Sequence, residues 1–316
     1  MTEARPLYRH PGRHALGLDV GGTKIAGGIV DLATGAVTGR RQVPTDFGRS
    51  GRAILDDTLA LAQDLARQAS HAGLPVAALG LGVAELVSPQ GRVFSDHRIR
   101  WSGLDVAAEL GQVLPATVSA DVRAAALGEA RFGAGRGLDS FFYVTIGTGV
   151  SGVLVLNGRP HVGARGAALV IANSMERHPC PACGHVTTGM VEDVASGPGL
   201  AQAYGATTAE EVLQAARAGD ARALHVIDHA AGALGRILAL MADALDPQAM
   251  VIGGGLGSAP GPYFAALTRA IRAGLWDGVP NPLKITQAAL GPDAGLIGAA
   301  CATQTQPEPA DRPPLR

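Results

Sequence analysis

Cysteine is scarce in this chain of 316 residues: Cys180, Cys183 and Cys301 are too few for the disulfide framework of a small secreted domain. Charge of one sign is missing too, with 26 Lys and Arg against 27 Asp and Glu for a net charge of −1. No whole-chain field therefore draws the molecule to nucleic acid or to an anionic membrane. Residues 1–14 carry Arg5, Arg9 and Arg13 but no apolar core, so they read as neither a secretory signal nor a membrane span. What remains is a cytoplasmic protein that acts on small molecules.

The composition that is present, 47% hydrophobic and 17% charged, fits globular protein with two ordinary domains. The 44 glycines are spread among apolar runs rather than gathered in blocks, which points to tight turns and close helix–strand contacts. Ala15 to Val20 and Ile25 to Val30 are apolar runs flanking Gly21-Gly22-Thr23-Lys24, which gives strand, tight turn, strand. Ala36 to Val43 continues as a strand, Ala53 to His71 has helical spacing, and Val76 to Val83 is a buried strand. A similar order recurs. Phe141 to Ile146 and Ser151 to Leu156 flank Gly147-Thr148-Gly149, helices follow over Glu210 to Ala218 and Ala221 to Leu245, and Ala249 to Ile252 runs into Gly253-Gly254-Gly255. Two such halves predict an α/β protein of two lobes with a cleft between them. The expected boundaries are a flexible start at 1–14, an N-terminal lobe at 15–119, a C-terminal lobe at 120–291, a helix at 292–303 packing back on the first lobe, and a disordered tail at 304–316.

Because Asp19-Val20-Gly21-Gly22-Thr23-Lys24 lies between two strands, it is neither a Walker loop nor a dinucleotide fingerprint, each of which needs a helix after its glycines. It has two readings. It is a plain glycine hairpin, or a phosphate turn in which backbone N–H groups, the Thr23 hydroxyl and Lys24 meet an anion while Asp19 holds water on Mg²⁺. Gly147-Thr148-Gly149 and Gly254-Gly255 carry the same pair of readings. Asp121 precedes the helical stretch Val122 to Phe132, where a carboxylate serves as a cap against the helix dipole; a helix start also holds a general base rigidly. Cys180, Cys183 and His185, with His178 close by, are either half of a structural zinc site or an ordinary loop.

Together these segments resemble the ROK family of sugar kinases and repressors, over about Leu16 to Ala302. The resemblance rests on Leu18-Asp19-Val20-Gly21-Gly22-Thr23-Lys24-Ile25, on Asp121-Val122-Arg123-Ala124-Ala125-Ala126-Leu127-Gly128-Glu129, on Ile146-Gly147-Thr148-Gly149, and on Asp293-Ala294-Gly295-Leu296-Ile297-Gly298-Ala299-Ala300. It implies an actin-like, hexokinase-type ATPase fold of duplicated βββαβα lobes, ATP and Mg²⁺ as cofactors, glycine turns on the phosphates, Asp121 as the catalytic base, and a homodimer. Family repressors carry a helix-turn-helix before the first glycine strand; only residues 1–14 precede it here, so no nucleic-acid partner is expected.

The departures fall on the sugar side. A family glucokinase reads Ala-Gly-Glu-x-Gly-His before the zinc loop, its Glu and His gripping sugar hydroxyls; here the stretch is Ala168-Leu169-Val170-Ile171-Ala172-Asn173. The Asn before the base is Ala120, and the Pro-Gly ending the strand beside the sugar pocket is Ala84-Glu85. The zinc loop is Cys180-Pro-Ala-Cys183-Gly-His-Val-Thr-Thr-Gly-Met190-Val-Glu192, longer than the family pattern and with Met190 where its last Cys belongs. Losing a buried hydrogen-bond partner costs on the order of 1–3 kcal/mol, so glucose is expected to bind poorly. The resemblance then implies a kinase for the exocyclic hydroxyl of another hexose-like ring, either a C7-cyclitol of the valiolone type, as in antibiotic biosynthesis, or an amino sugar. Glu85, Asn173, Glu192 and Asp121 would face it. The alternatives are a glucokinase or other hexose 6-kinase, and a non-catalytic sugar-responsive protein.

Overall fold

The computed structural model of the chain describes residues 12–46, 48–168, 170–179, 183–279 and 282–304. They group into two compact units. The first draws on the described residues of Met1–Phe132, His161–Ala168 and Asp293–Arg316, the second on those of Gly133–Pro160 and Leu169–Pro292.

The first unit runs β1 (His14–Val20), β2 (Lys24–Asp31), β3 (Val37–Pro44), α1 (Gly51–His71), β4 (Val76–Val83), α2 (Val106–Gly111), β5 (Ala116–Ala120) and α3 (Asp121–Phe132). Its sheet has the order β3-β2-β1-β4-β5, with β1–β2 and β2–β3 antiparallel and β1–β4 and β4–β5 parallel. Leu16, Leu18, Leu79 and Leu81 are wholly buried because β1 and β4 lie in the middle of that sheet, covered on both faces. At the edge, β3 keeps Arg40 and Arg41 in solvent, the charges that discourage pairing with another chain. Helix α1 starts where the Ser50 hydroxyl accepts from Ala53 N, and buries Ile54, Leu55, Thr58, Leu61, Ala62, Leu65 and Ala69 on one helical face.

The second unit runs β6 (Ser140–Ile146), β7 (Val150–Leu156), β8 (Arg159–Pro160), β9 (Met175–Pro179), β10 (Val186–Met190), α4 (Val191–Ala195), α5 (Gly197–Tyr204), α6 (Ala209–Arg217), α7 (Ala221–Leu245), β11 (Ala249–Gly253), α8 (Gly254–Gly257), α9 (Pro262–Gly274) and β12 (Lys284–Gln287). Its main sheet, β12-β11-β6-β7-β8, repeats the first sheet strand for strand, with β6 in the place of β1 and β11 in that of β4. The duplicated βββαβα plan is therefore real. Helix α7 is long and apolar enough to span a membrane, but its apolar face, from Ala223 through Leu234 to Ala242, belongs to the core of this unit.

The chain then returns to the first unit as α10 (Ala294–Ala302), every residue of which is buried against α3, β1 and β4. Close approach requires small residues here. A Cβ on Gly80 of β4 would overlap the Ala299 carbonyl, and one on Gly298 the Ala124 carbonyl. This packing on α10 and β4 is why α3 groups with the first unit rather than with the stretch 120–291. His14 already belongs to β1, whereas residues 1–11 and 305–316 of the expected flexible ends lie outside the described residues.

Candidate active site

In the first unit, strand ends bring the acids together. Asp19 is the next-to-last residue of β1, and Asp121 opens α3 directly after β5. A Cβ added to Gly82 of β4 would stand 3.5 Å from both the Asp121 Cα and the Asp19 Oδ1, so both acids border that glycine. Asp121 caps its own helix start by accepting from Val122 N at 2.6 Å. Burial pushes its carboxyl up to about 6, opposed by that N–H and by the charges of Arg123 and Arg98 and aided by Glu85. Asp19 is pushed up to about 7, first by burial and then by the charge of Asp121, with Lys24 pulling the other way. A Cβ on Gly295 would stand 2.5 Å from Asp19 Oδ2, so the start of α10 forms one wall of this carboxylate. Beyond it the turn Gly21-Gly22-Thr23 is closed by Gly21 N donating to Lys24 O at 3.0 Å.

In the second unit the equivalent strand ends carry backbone instead of charge. Gly147 N donates to Gly149 O at 2.9 Å, and the Gly147 carbonyl accepts from Gly197 N at 2.8 Å at the head of α5. The second glycine turn is adjacent, with a Cβ on Gly147 falling 3.7 Å from Gly255 N. Gly254 has φ +82°, and a side chain there would run into the backbone of Ile146. Glu192, in the first turn of α4, accepts from Val150 N at 2.8 Å and so braces the exit of the Gly147–Gly149 turn. Its own N–H donates to Ala172 O, which places exposed Asn173 next to it. Thr148 is exposed at the tip of the turn.

One expectation is corrected by these details, and another, the zinc site, finds no support among the described residues. Glu85 is not a free carboxylate waiting for a ligand. It is 6% exposed and accepts from the Ser95 hydroxyl and from the backbone N–H groups of His97, Arg98 and Ile99 at 2.9, 2.6 and 2.6 Å. The zinc site is not formed among the described residues: no group of His, Cys, Asp and Glu gathers there, and Cys183 and His185 are both exposed. Cys180 lies outside the described residues. Sequence reasoning also passed over Arg123, which is 7% exposed and donates from Nη2 to Val87 O at 2.6 Å. Its signal was a charged residue at the third position of an otherwise small-residue helix start.

The ROK family model matches residues 15–306. The chain belongs to the ROK family. It is 32% identical to a glucokinase of Halalkalibacterium halodurans, over 93% of this chain and 96% of that protein. It is 31% identical to an N-acetylmannosamine kinase of Escherichia coli, over 92% of this chain and 98% of the relative. Among solved structures it is similar to a ROK family glucokinase from Streptomyces griseus in complex with glucose and AMPPNP, with a TM-score of 0.79 and 29% identity, covering 92% of this chain and 98% of the other. The ROK member described here is thus an ATP-dependent carbohydrate kinase of hexokinase-type fold.

Proposed function

We propose that this ROK kinase phosphorylates the exocyclic hydroxyl of a hexose-like ring other than glucose, a C7-cyclitol or an amino sugar, with Asp121 as the base. The observation that carries the reading is Asp121 itself: a carboxylate fixed at a helix start, with its pKa raised to about 6, is ionised near neutral pH yet basic enough to take a hydroxyl proton. As Asp121 removes that proton, the acceptor oxygen attacks the γ-phosphorus of ATP in line, the bond to the bridging oxygen of ADP breaks, and ADP leaves with the electron pair. Backbone N–H groups of the turns Gly21–Thr23, Gly147–Gly149 and Gly254–Gly255 suit phosphate oxygens, and Lys24 adds charge.

Asp19 fits Mg²⁺ on chemical grounds. Burial and the nearby Asp121 hold its proton up to about 7, and a dication close by would release that proton and leave a hard oxygen donor. When bound, Mg²⁺ would supply positive charge to the terminal phosphates; Asp19 would help to hold it, leaving Asp121 free to take the proton.

The choice of acceptor rests on the sugar side. Val170 is 44% exposed and Asn173 is exposed, in the segment where family glucokinases present Glu and His. An amino sugar gains support from the N-acetylmannosamine kinase relative, glucose from the glucokinase relatives. The test is a panel of hexoses, N-acetylated amino sugars and C7-cyclitols incubated with ATP and Mg²⁺ and read by mass spectrometry. Cyclitol or amino-sugar phosphate formed with kcat/KM at least about tenfold above glucose is the expected result; glucose as the best acceptor would overturn it.

A further inference from the structure

In the second unit, the stretch 170–174 on the sugar side and the Gly147–Gly149 turn are joined through one short run of chain, residues 191–197. The run begins on the sugar side, where Val191 N donates to Ser174 O at 2.9 Å and Glu192 N to Ala172 O at 3.3 Å. Those two carbonyls flank exposed Asn173 in the sequence. The run ends on the turn, where Gly197 N donates to Gly147 O at 2.8 Å. The opposite end of the turn is held by the Glu192 carboxylate, which accepts from Val150 N at 2.8 Å. Glu192 therefore touches both parties, the sugar side with its N–H and the phosphate turn with its side chain.

The run is braced from behind. Val191 and Ala195 are wholly buried, and Tyr263 of α9, also wholly buried, donates from its hydroxyl to Ala195 O at 2.9 Å. Ser196 is 3% exposed; its N–H donates back to Glu192 O at 3.1 Å, and its hydroxyl caps α5 by accepting from Gly199 N at 3.3 Å. A Cβ on Gly199 would stand 2.4 Å from Asp193 O, so the backbones of α4 and α5 are in direct contact. Close packing of this kind passes a displacement on rather than absorbing it. Val150 is 1% exposed, and a carboxylate bonded to a buried N–H is a strong tie, so the run and the turn move together. We infer that Glu192 is a positioning residue for the phosphate turn, through which a ligand on the stretch 170–174 and a nucleotide on the Gly147–Gly149 turn each raise the affinity for the other. Such linkage is reciprocal by thermodynamic necessity. It favours holding ATP when an acceptor is present to receive its phosphate.

This rests on the kinase reading for the identity of the two ligands, and the test keeps the two apart. Calorimetric titration of AMPPNP with Mg²⁺, without and with the acceptor that the panel identifies, should show nucleotide binding at least about fivefold tighter in its presence. Glu192→Leu removes the oxygen that faces Val150 N and should bring that ratio to within about twofold of unity, whereas Glu192→Gln keeps an oxygen for the same N–H and should retain most of it. A side chain that only touched the acceptor would instead lose acceptor affinity in both variants and leave AMPPNP binding alone unchanged; the positioning role weakens AMPPNP alone in Glu192→Leu. Amide hydrogen exchange needs no acceptor: AMPPNP should slow exchange at Val191 and Glu192 by about fivefold in the wild type, and the Val191 amide should not respond in Glu192→Leu. If Glu192→Leu does not fold, Glu192→Asp, which keeps the charge but withdraws the oxygen by one methylene, should show the same loss of coupling. A wild-type ratio near unity, a full ratio in the Leu or Asp variant, or an equal loss in the Gln and Leu variants would each overturn the inference. If the wild type phosphorylates nothing in the panel, the kinase reading falls on its own. Exchange at Val191 and Glu192 then decides the link, no response to AMPPNP in the wild type overturning it.

Discussion

The two units share one sheet plan and differ in what stands at the strand ends. In the first, the end of β1 carries Asp19, the end of β4 leads to Glu85, and the end of β5 leads to Asp121. In the second, the matching places hold Thr145 near the end of β6 and Gly253-Gly254 at the end of β11. One copy concentrates carboxylates, and burial raises the proton affinity of two of them, Asp19 and Asp121; the other presents glycine turns and backbone N–H groups. The duplication therefore keeps the buried acids in one copy alone while both copies carry glycine turns, and each copy can be attacked alone.

The sharpest break should come in the charged copy. Asp121→Asn keeps the shape of the helix start but cannot take a proton, so kcat should fall by about 10³-fold, within the usual range for a lost general base, while ATP still binds; steady-state kinetics and nucleotide titration check both halves. Full activity in this variant would remove Asp121 from the chemistry. In the glycine copy, Gly254→Ala puts a Cβ at φ +82° against the Ile146 backbone. We expect a rise of about tenfold or more in the KM for ATP and a loss on the order of 1–3 kcal/mol in stability, read by kinetics and thermal melts. An unaltered melting temperature would show that the turn is less constrained than it looks.

pH sharpens the contrast more gently. Asp121 must be ionised to act, and its pKa stands at about 6. The kcat/KM for the acceptor should therefore fall as pH drops through about 6, tenfold per unit below it, and a profile flat down to pH 4.5 would contradict this. The smallest effect concerns stability. Asp19 has a folded pKa of about 7, above its ordinary value, so between those two values the native state binds the extra proton and stability falls as pH rises. Asp19→Asn should raise the melting temperature at pH 7.5 by a few degrees and flatten its decline with pH, at the expense of activity. A lower melting temperature in that variant would mean the ionised carboxylate is a net stabiliser.

Much of this plan was legible before any coordinates. Alternating and continuous apolar runs located β1, β2, β4, β6, β7 and β11 to within a residue or two, because strands buried on both faces cannot tolerate polar interruptions. The glycine turns and Asp121 were legible because strand-to-strand glycines and a helix-start acid have few uses. Glu85 was not. Whether a carboxylate meets a ligand or is consumed by a hydroxyl and N–H groups ten to fourteen residues later depends on the path of a loop with no periodicity, and the sequence is silent on that. The Cys180–His185 stretch meets a different limit: short metal spacing is a local pattern, while a zinc site needs further ligands delivered by tertiary structure, and Cys180 lies outside the described residues, where Cys183 and His185 are exposed. Arg123 was missed because a charge on a helix normally reads as a solvated face.

Helix α10 has one more consequence, in the order of events during synthesis. It supplies the wall against Asp19 and the seat for α3, yet it leaves the ribosome after the whole second unit has emerged. The inserted unit is nearly continuous and can complete its own core first, whereas the acid-bearing unit must wait, open along β1, β4 and α3, until Ala294–Ala302 arrives. A nascent chain stalled before that helix would lack the wall beside Asp19 and the seat for α3, so the growing polypeptide has every strand of both sheets before it can close the unit that carries the acids.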